Sequence, residues 1–340
     1  SASHPPPPNR RPPKGASKRI SSSRPRKMDT LPPASIVVDD PRSLGEGAVW
    51  CPLNEKLLWV DITRGKLFVY DENSGENVHI DLRQSIGTVV PYKKDQVVCA
   101  LLKGICVVDL CEKRIVSCLA NPESDLFGNR WNDGKCDNQG RFWCGSMGQF
   151  CEPEMGALYK FTLKHSPGPG DKEMVATERQ LSNVTISNGI CWDTEGSMYF
   201  IDTALGTIDQ FAFDKEKGTI SDRRTCIDCR KHNIGHPDGM TMDAEGMLWV
   251  AMWEGWCVAR WDPRTGALLG KIALPCAQVT SVAFGGKNLD RLYITTASCG
   301  LSAETLAKEQ PHAGKLFAVD LSATTLRGVR APLFGQGLTA

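Results

Sequence analysis

Polar side chains that could bind a cation stand at or near the glycines of several short motifs along this 340-residue chain. The carboxylates are Glu46, Asp133 and Asp238, and the amides are Asn132 and Asn188. Carboxylate and amide oxygens are the ligands that hard divalent cations such as Ca²⁺, Mg²⁺ and Mn²⁺ prefer. Because packed carboxylates repel one another and lose hydration, a buried group of them needs a cation to neutralise it.

Turn chemistry is the competing interpretation of these motifs. Asn-Gly and Asp-Gly are common turn dipeptides, so any single site could be an ordinary turn. Glu46 is hardest to explain in that way, since Glu is not a favoured turn residue. The matching position of the polar residue in four separate motifs therefore favours a shared metal site, provided that the fold brings the four together.

The chain carries a repeat that could do so. From about residue 40, short alternating apolar runs are bounded by Gly, Asp and Asn, which is typical of strands. Units of three predicted strands recur 40 to 55 residues apart. Their starts align at Gly47, Gly87, Gly134, Gly189, Gly239 and Ser281. Periods of about 40–50 residues indicate propeller blades. We therefore predict an all-β fold, a six-bladed β-propeller whose first strands line a central channel that holds the metal site.

The predicted domain organisation is a tail followed by one domain. Residues 1–34 are predicted to be a disordered, basic, Pro-rich N-terminal tail, because such a segment cannot offset the entropy of ordering. A nucleic-acid-binding arm, an address signal or a mitochondrial presequence remains an alternative for residues 1–30, and Met28 could be the natural start. Residues 35–340 are predicted to form the propeller, with residues 165–170 as a surface loop.

Composition excludes several classes of function. Hydrophobic residues make up 41% of the chain, which allows a large core. Beyond residue 30 acidic side chains outnumber basic ones, so we predict no nucleic-acid partner. No run of about 18 apolar residues exists, so no membrane partner is predicted either. The 14 cysteines lie mostly inside apolar runs, and the N-terminus lacks an apolar signal region. We therefore predict a cytoplasmic location.

Residues beside the polar motifs could contact a substrate. Arg130 precedes Asn132 and could clamp an anionic or polyhydroxylated molecule, although a surface ion pair is the alternative. Trp253 and Trp256 could border the channel mouth, but aromatic residues in blades are more often core. His236 could support Asp238, and as a lone histidine it is more simply structural. No Gly-rich phosphate loop and no serine-hydrolase motif is present.

Several segments together resemble the SMP-30/gluconolactonase/luciferin-regenerating-enzyme family, in its regucalcin-like form. They are residues 44–50, 130–135, 140–147, 186–189, 237–243 and 292–297, and residues 311–317 resemble the closing strand of the family. The resemblance covers roughly residues 38–335. It implies a six-bladed propeller with one divalent cation, and hydrolysis of sugar lactones such as gluconolactone.

The resemblance also assigns roles to residues of this chain. Glu46, Asn188 and Asp238 match the metal ligands of the family, and Arg130 and Asn132 match its substrate-contacting positions. The chain departs from the regucalcin-like pattern at one point. The pattern has an acidic residue where residues 148–151 of this chain read Gly-Gln-Phe-Cys. Two acidic residues just beyond, Glu152 and Glu154, could substitute for it.

The resulting hypothesis is a metal-dependent lactonase whose partner is a small-molecule sugar lactone. Asp238 would accept a proton from the attacking water, or the cation would itself lower the pKa of that water. The cation would be Ca²⁺ or Zn²⁺, with Mn²⁺ or Mg²⁺ also compatible. One alternative is a calcium-binding regulatory protein without turnover. Another is a propeller that hydrolyses organophosphates or other lactones. Such a propeller would need an apolar mouth, and Phe150 is the residue that supports this alternative. The sequence leaves the oligomeric state unassigned.

Overall fold

The computed structural model describes residues 31–164 and 174–337. The predictions for residues 1–30, for Met28 and for the loop at residues 165–170 lie outside the described residues. Within those ranges the regular secondary structure is almost entirely β-strand. None of the helices found there is long and apolar enough to span a lipid bilayer.

The strands pair into six antiparallel sheets of four strands each within the described ranges. Their bounds, in chain order, are β1 (Ser35–Val38), β2 (Gly45–Cys51), β3 (Lys56–Asp61), β4 (Lys66–Tyr70), β5 (Asn77–Asp81), β6 (Ile86–Lys93), β7 (Gln96–Leu101), β8 (Gly104–Asp109), β9 (Arg114–Ala120), β10 (Asn129–Cys136), β11 (Phe142–Gly148), β12 (Gly156–Lys164), β13 (Met174–Val184), β14 (Ser187–Trp192), β15 (Ser197–Asp202), β16 (Thr207–Asp214), β17 (Thr219–Asp228), β18 (His236–Met242), β19 (Leu248–Trp253), β20 (Cys257–Asp262), β21 (Ala267–Ala273), β22 (Val279–Gly285), β23 (Arg291–Thr296) and β24 (Leu316–Asp320). Short 3₁₀ helices occupy Thr203–Leu205 and Cys229–His232, and one α-helix, α1, spans Ala303–Lys308.

These sheets are the blades of a ring. Five of them use four consecutive strands, and the sixth pairs β22, β23 and β24 with β1 from the other end of the described chain. The innermost strands β2, β6, β10, β14, β18 and β22 each contact the next, and β22 contacts β2. The predicted six-bladed β-propeller is therefore confirmed, and all six aligned unit starts lie in innermost strands.

The predicted repeat of three strands is one strand too short. Each sheet has a fourth, outer strand: β5, β9, β13, β17, β21 or β1. Most positions of β9 and β13 are exposed or half-buried, whereas the middle strands are almost wholly buried. An outer strand packs on few neighbours and needs little apolar alternation, so its sequence pattern is weak. The family-like segment at residues 311–317 contributes only its last two residues to β24.

Glycines let the innermost strands of neighbouring blades approach closely. A Cβ atom on Gly189 would lie 2.5 Å from Met240 Cβ and 2.7 Å from the carbonyl oxygen of Asp238. A Cβ on Gly87 would lie 2.6 Å from the carbonyl oxygen of Asn132. At or next to the aligned unit starts, which are five glycines and Ser281, the register of every innermost strand shifts against its neighbour. Such bulges re-aim the adjacent side chains, here towards the ring centre.

A C-terminal segment, residues 326–336, closes the channel at the end where the innermost strands finish. Its backbone bonds to four blades: Ala244 N–H donates to Arg327 O, and the segment's own Gly328, Phe334 and Gly335 N–H groups donate to the Leu289, Pro91 and Gly140 carbonyls, all at 2.8 Å. Beneath it a cavity of about 70 Å³ is lined by the ends of the innermost strands. The channel is therefore open mainly at the opposite end, where the innermost strands begin.

Candidate functional site

The predicted cation-binding side chains converge near the open end of the channel. They lie near the starts of β2, β10, β14 and β18, on four different blades. Each is buried, with at most 7% of its surface exposed: Glu46, Asn132, Asp133, Asn188 and Asp238. The fold thus brings together the residues that the sequence singled out. We call this group the polar cluster.

Burial of the three carboxylates gives the polar cluster unusual electrostatics. Desolvation, together with the nearby charge of Asp133, raises the pKa of Glu46 to about 8. Desolvation likewise raises the pKa of Asp238 well above its usual value, with the charges of Glu46 and Asp133 acting in the same direction. Without a cation, the cluster therefore favours bound protons.

The chemistry of the donors fits a hard divalent cation. Asp238 Oδ1 is buried without a hydrogen-bond partner among the described residues. It belongs to a carboxylate whose pKa the nearby charge of Glu46 helps to raise, and Asn188 adds an amide oxygen from a third blade. Across residues 31–164 and 174–337, no three Asp, Glu, His or Cys side chains form a metal-binding group. A cation here would therefore depend on the Asn188 amide as its third protein ligand.

A directed chain of hydrogen bonds holds the amides in place. Arg130 Nη1 donates to Asn132 Oδ1 at 2.5 Å, and Asn132 Nδ2 donates to Asn188 Oδ1 at 3.1 Å. Asn188 Nδ2 then donates to Thr203 Oγ1, and Thr203 Oγ1 donates to Pro237 O, both at 2.8 Å. The chain fixes which amide atom is oxygen at each position. It leaves Asn188 Oδ1 with a second lone pair for a cation.

Thr203 is the residue that sequence reasoning missed. It opens the 3₁₀ helix between the second and third strands of the fourth blade, and the carboxylate of Asp202 caps that helix by accepting from Ala204 N–H. The sequence search covered only the polar residues of the glycine motifs in first strands. Loops between second and third strands reach the same end of an antiparallel blade, so a search of those loops would have included Thr203.

Arg130 faces the polar cluster. Burial lowers the pKa of its guanidinium, while the charges of Glu46 and Asp238 act to raise it. Its hydrogen bonds run to the Asn132 side chain and to the Trp131 carbonyl. A guanidinium in this position can bind an anion or an electron-rich oxygen that enters from the mouth.

Other predicted candidates lie at the mouth but outside the polar cluster. Trp256 is exposed and Trp253 half-buried. The exposed His236 imidazole lies 3.9 Å from the carboxylate of Glu254.

The two acidic residues offered as substitutes are exposed. The Glu152 carboxylate accepts the N–H of Phe150 at 2.9 Å and so bonds within its own loop. Glu154 uses its backbone N–H, which donates to Thr185 Oγ1 at 3.1 Å.

An apolar rim lies along the part of the open end that the second to fifth blades form. Its members are exposed large side chains on loops that enter first strands or join second to third strands: Leu102, Leu126, Phe127, Phe150, Met155, Leu205 and Trp256. A cavity of about 240 Å³ is lined by three of them, Leu102, Leu126 and Phe127, together with Arg130. The rim thus offers apolar contacts beside the guanidinium that faces the polar cluster.

Comparison with known proteins gives a consistent assignment. The model of the SMP-30/Gluconolactonase/LRE-like region matches residues 44–298. YvrE of Bacillus subtilis (strain 168), provisionally named a sugar lactone lactonase, is 34% identical over 289 residues, which is 85% of this chain and 94% of that protein. Regucalcin of Danio rerio is 35% identical over 286 residues, 83% of this chain and 92% of that protein. The crystal structure of regucalcin from Agrobacterium tumefaciens, described as a calcium-binding protein, superposes with a TM-score of 0.81 at 26% identity, covering 90% and 99% of the two chains.

Proposed function

Because the chain belongs to the SMP-30/gluconolactonase/LRE-like family, we propose that it hydrolyses sugar lactones with the help of one divalent cation. The observation that carries the proposal is the buried, unpartnered Oδ1 of Asp238. An acceptor atom in that position, next to the Glu46 carboxylate, is stabilised by a cation and would otherwise cost free energy. The provisional name of the related Bacillus protein supports the choice of substrate.

Glu46, Asn188 and Asp238 would hold the cation through two carboxylates and one amide. A cation bound there would supply positive charge to polarise the lactone carbonyl and to stabilise its oxygen as negative charge develops. The all-oxygen set suits Ca²⁺, and a related protein is described as calcium-binding. Zn²⁺, Mn²⁺ and Mg²⁺ remain compatible with the same ligands.

The residues of the chain would perform the remaining steps. Arg130 and Asn132 would bind the hydroxyl groups of the sugar and so orient the lactone carbonyl. Asp238 would accept a proton from water as the water oxygen bonds to the carbonyl carbon. The ring C–O bond would then break, and the proton would pass from Asp238 to the leaving ring oxygen. The product is the open hydroxy acid.

Hydrolysis of glucono-δ-lactone by purified, EDTA-treated protein tests the proposal. Activity should return when Ca²⁺, Zn²⁺, Mn²⁺ or Mg²⁺ is added, and it should be lost in Asp238→Ala. Calorimetry with each cation should be run in parallel, because it separates cation binding from turnover. Cation binding without turnover of any lactone would contradict the proposal and favour the regulatory alternative.

The apolar rim favours a second candidate, hydrolysis of a more apolar lactone or of an organophosphate ester. Exposed Phe127 and Phe150 are costly in water unless a ligand covers them. The test compares kcat/KM for glucono-δ-lactone, an alkyl-substituted δ-lactone and a phosphate triester. If the rim selects substrates, Phe150→Ser should lower kcat/KM for the alkyl lactone and leave gluconolactone unchanged. Equal losses for both lactones would contradict selection by the rim.

A further inference from the structure

Two cysteines form a cross-strand pair in the second blade. Cys106 in β8 and Cys118 in β9 are register partners in the antiparallel pairing of these strands. Their Sγ atoms lie 2.6 Å apart. Both are free thiols in this structure. Their strands are the third and fourth of the blade, away from the innermost strand that borders the channel.

The backbone already provides the separation that a disulfide needs. Directly opposed residues in antiparallel strands have Cα atoms about 4.5–5.5 Å apart and side chains on the same face. Disulfides span Cα separations of about 4.4–6.8 Å. The two cysteines can therefore be joined with little movement of the strands.

The two thiols differ in access. Cys118 is exposed on the outer strand, whereas Cys106 is buried. Burial and the neighbouring Cys118 raise the pKa of the Cys106 thiol. On the other side of Cys106, its register partner in β7 is Cys99, which is also buried. An oxidant from solvent therefore reaches Cys118 first, and Cys106 is the nearest thiol to follow.

We propose that Cys106 and Cys118 form a redox site that closes to a disulfide in the presence of hydrogen peroxide. The Cys118 sulfur attacks a peroxide oxygen, the O–O bond breaks, and Cys118 becomes a sulfenic acid as water leaves. The Cys106 sulfur then attacks the Cys118 sulfur, and the S–O bond breaks. The departing hydroxide takes the Cys106 proton and becomes a second water. One peroxide is reduced and two thiols are oxidised.

Peptide mapping of the full chain after hydrogen peroxide treatment tests this site. The expected result is a Cys106–Cys118 linked peptide, loss of two titratable thiols, and recovery of both with dithiothreitol. In Cys118→Ser both the linked peptide and the paired thiol loss should disappear. In Cys106→Ala, Cys118 should accumulate as a sulfenic acid that dimedone traps.

The matched control is Cys111→Ser. Cys111 is exposed in the turn between β8 and β9, so it meets the same oxidant beside the same strands. This variant should form the Cys106–Cys118 link as fully as the parent. The proposal fails if the linked peptide joins Cys118 to Cys111 or Cys106 to Cys99. It also fails if Cys118→Ser still loses two thiols reversibly. None of these outcomes depends on lactone hydrolysis.

Discussion

At the scale of single residues, the hydroxyl of Thr203 connects the polar cluster to the backbone beside it. It accepts a hydrogen bond from the Asn188 amide and donates one to the carbonyl of Pro237, the residue before Asp238. One small side chain therefore orients a proposed cation ligand on one blade while it touches the strand that carries another. Such outer contacts commonly decide how well a ligand set is formed before the cation arrives.

Replacing Thr203 should therefore weaken cation binding. In Thr203→Val the Asn188 amide loses its acceptor, and we expect the affinity for the activating cation to fall about 10–100-fold. Thr203→Ser keeps the hydroxyl and should retain most of the affinity. Calorimetric titration of EDTA-treated protein measures the difference without any assay of turnover. Equal affinities in Val and Ser variants would show that the hydroxyl does not position Asn188.

The raised pKa of Glu46 predicts how cation-free protein responds to pH. The folded-state value is about 8 against 4.5 for an unperturbed Glu, so the folded state holds the proton more tightly than the unfolded state. The contribution of Glu46 to the stability of EDTA-treated protein should be fully present below about pH 4.5 and should be lost as the pH rises to about 8. The pKa values of Asp133 and Asp238 are also raised, so these two groups should give the stability the same pH dependence.

Urea unfolding at several pH values, with and without the cation, measures this effect. Glu46→Gln cannot ionise at this position and should lose stability less steeply over the same pH interval. Added cation should stabilise the parent protein most at the alkaline end, because the carboxylates bind it in their ionised form. A parent and a Glu46→Gln variant with parallel pH profiles would contradict the electrostatic account.

At the scale of elements, five of the six innermost strands have a glycine at or next to the bulge. Gly189→Ala would force a Cβ against Met240 and against the backbone oxygen of Asp238. We expect a loss of about 1–3 kcal/mol of unfolding free energy, as for other overpacked sites, and weaker cation binding. Gly128→Ala is the matched control, because a Cβ there meets no atom within 4 Å. Chemical denaturation compares the two variants, and similar losses would overturn the argument.

The sequence predicted the strands whose sequence pattern repeats from blade to blade and missed the outer strands, whose pattern does not. The first strands were found because a glycine, or Ser281 in the sixth blade, leaves a periodic mark at each bulge, as at Gly87 and Gly239. The outer strands were missed because solvent accepts many side chains on them. The convergence of Glu46 and Asp238 followed from shared register. Thr203 could not be predicted in the same way, because its role depends on the path of one loop.

At the scale of the whole molecule, two segments close the ring: β1, which pairs with β24, and residues 326–336 below the channel. Phe334 is the buried anchor of the second segment. It contacts the rings of Tyr92 and Phe142 at centroid distances of 5.6 and 6.4 Å. These partners belong to the second and third blades, so the segment joins blades that are already neighbours into one body.

Truncation of this anchor should cost stability. Phe334→Ala removes a fully buried ring, and we expect a loss of about 3–5 kcal/mol of unfolding free energy. Phe127→Ala removes the same side chain from a position that is 93% exposed and should change the unfolding free energy little. Thermal and urea unfolding of both variants give the comparison. A small effect of Phe334→Ala would mean that the C-terminal segment rests on the ring without holding it.

The pairing of β1 with β24 also bears on how the protein is made. Ser35 and its partner Ala318 are 283 positions apart. Ribosomes add about 5–20 residues per second, so β1 emerges on the order of tens of seconds before its partner exists. During that time the other five blades can assemble in order, while β1 stays an unpaired edge open to the wrong strand. Translation rate, and any chaperone that covers this edge, therefore become part of the folding of the molecule.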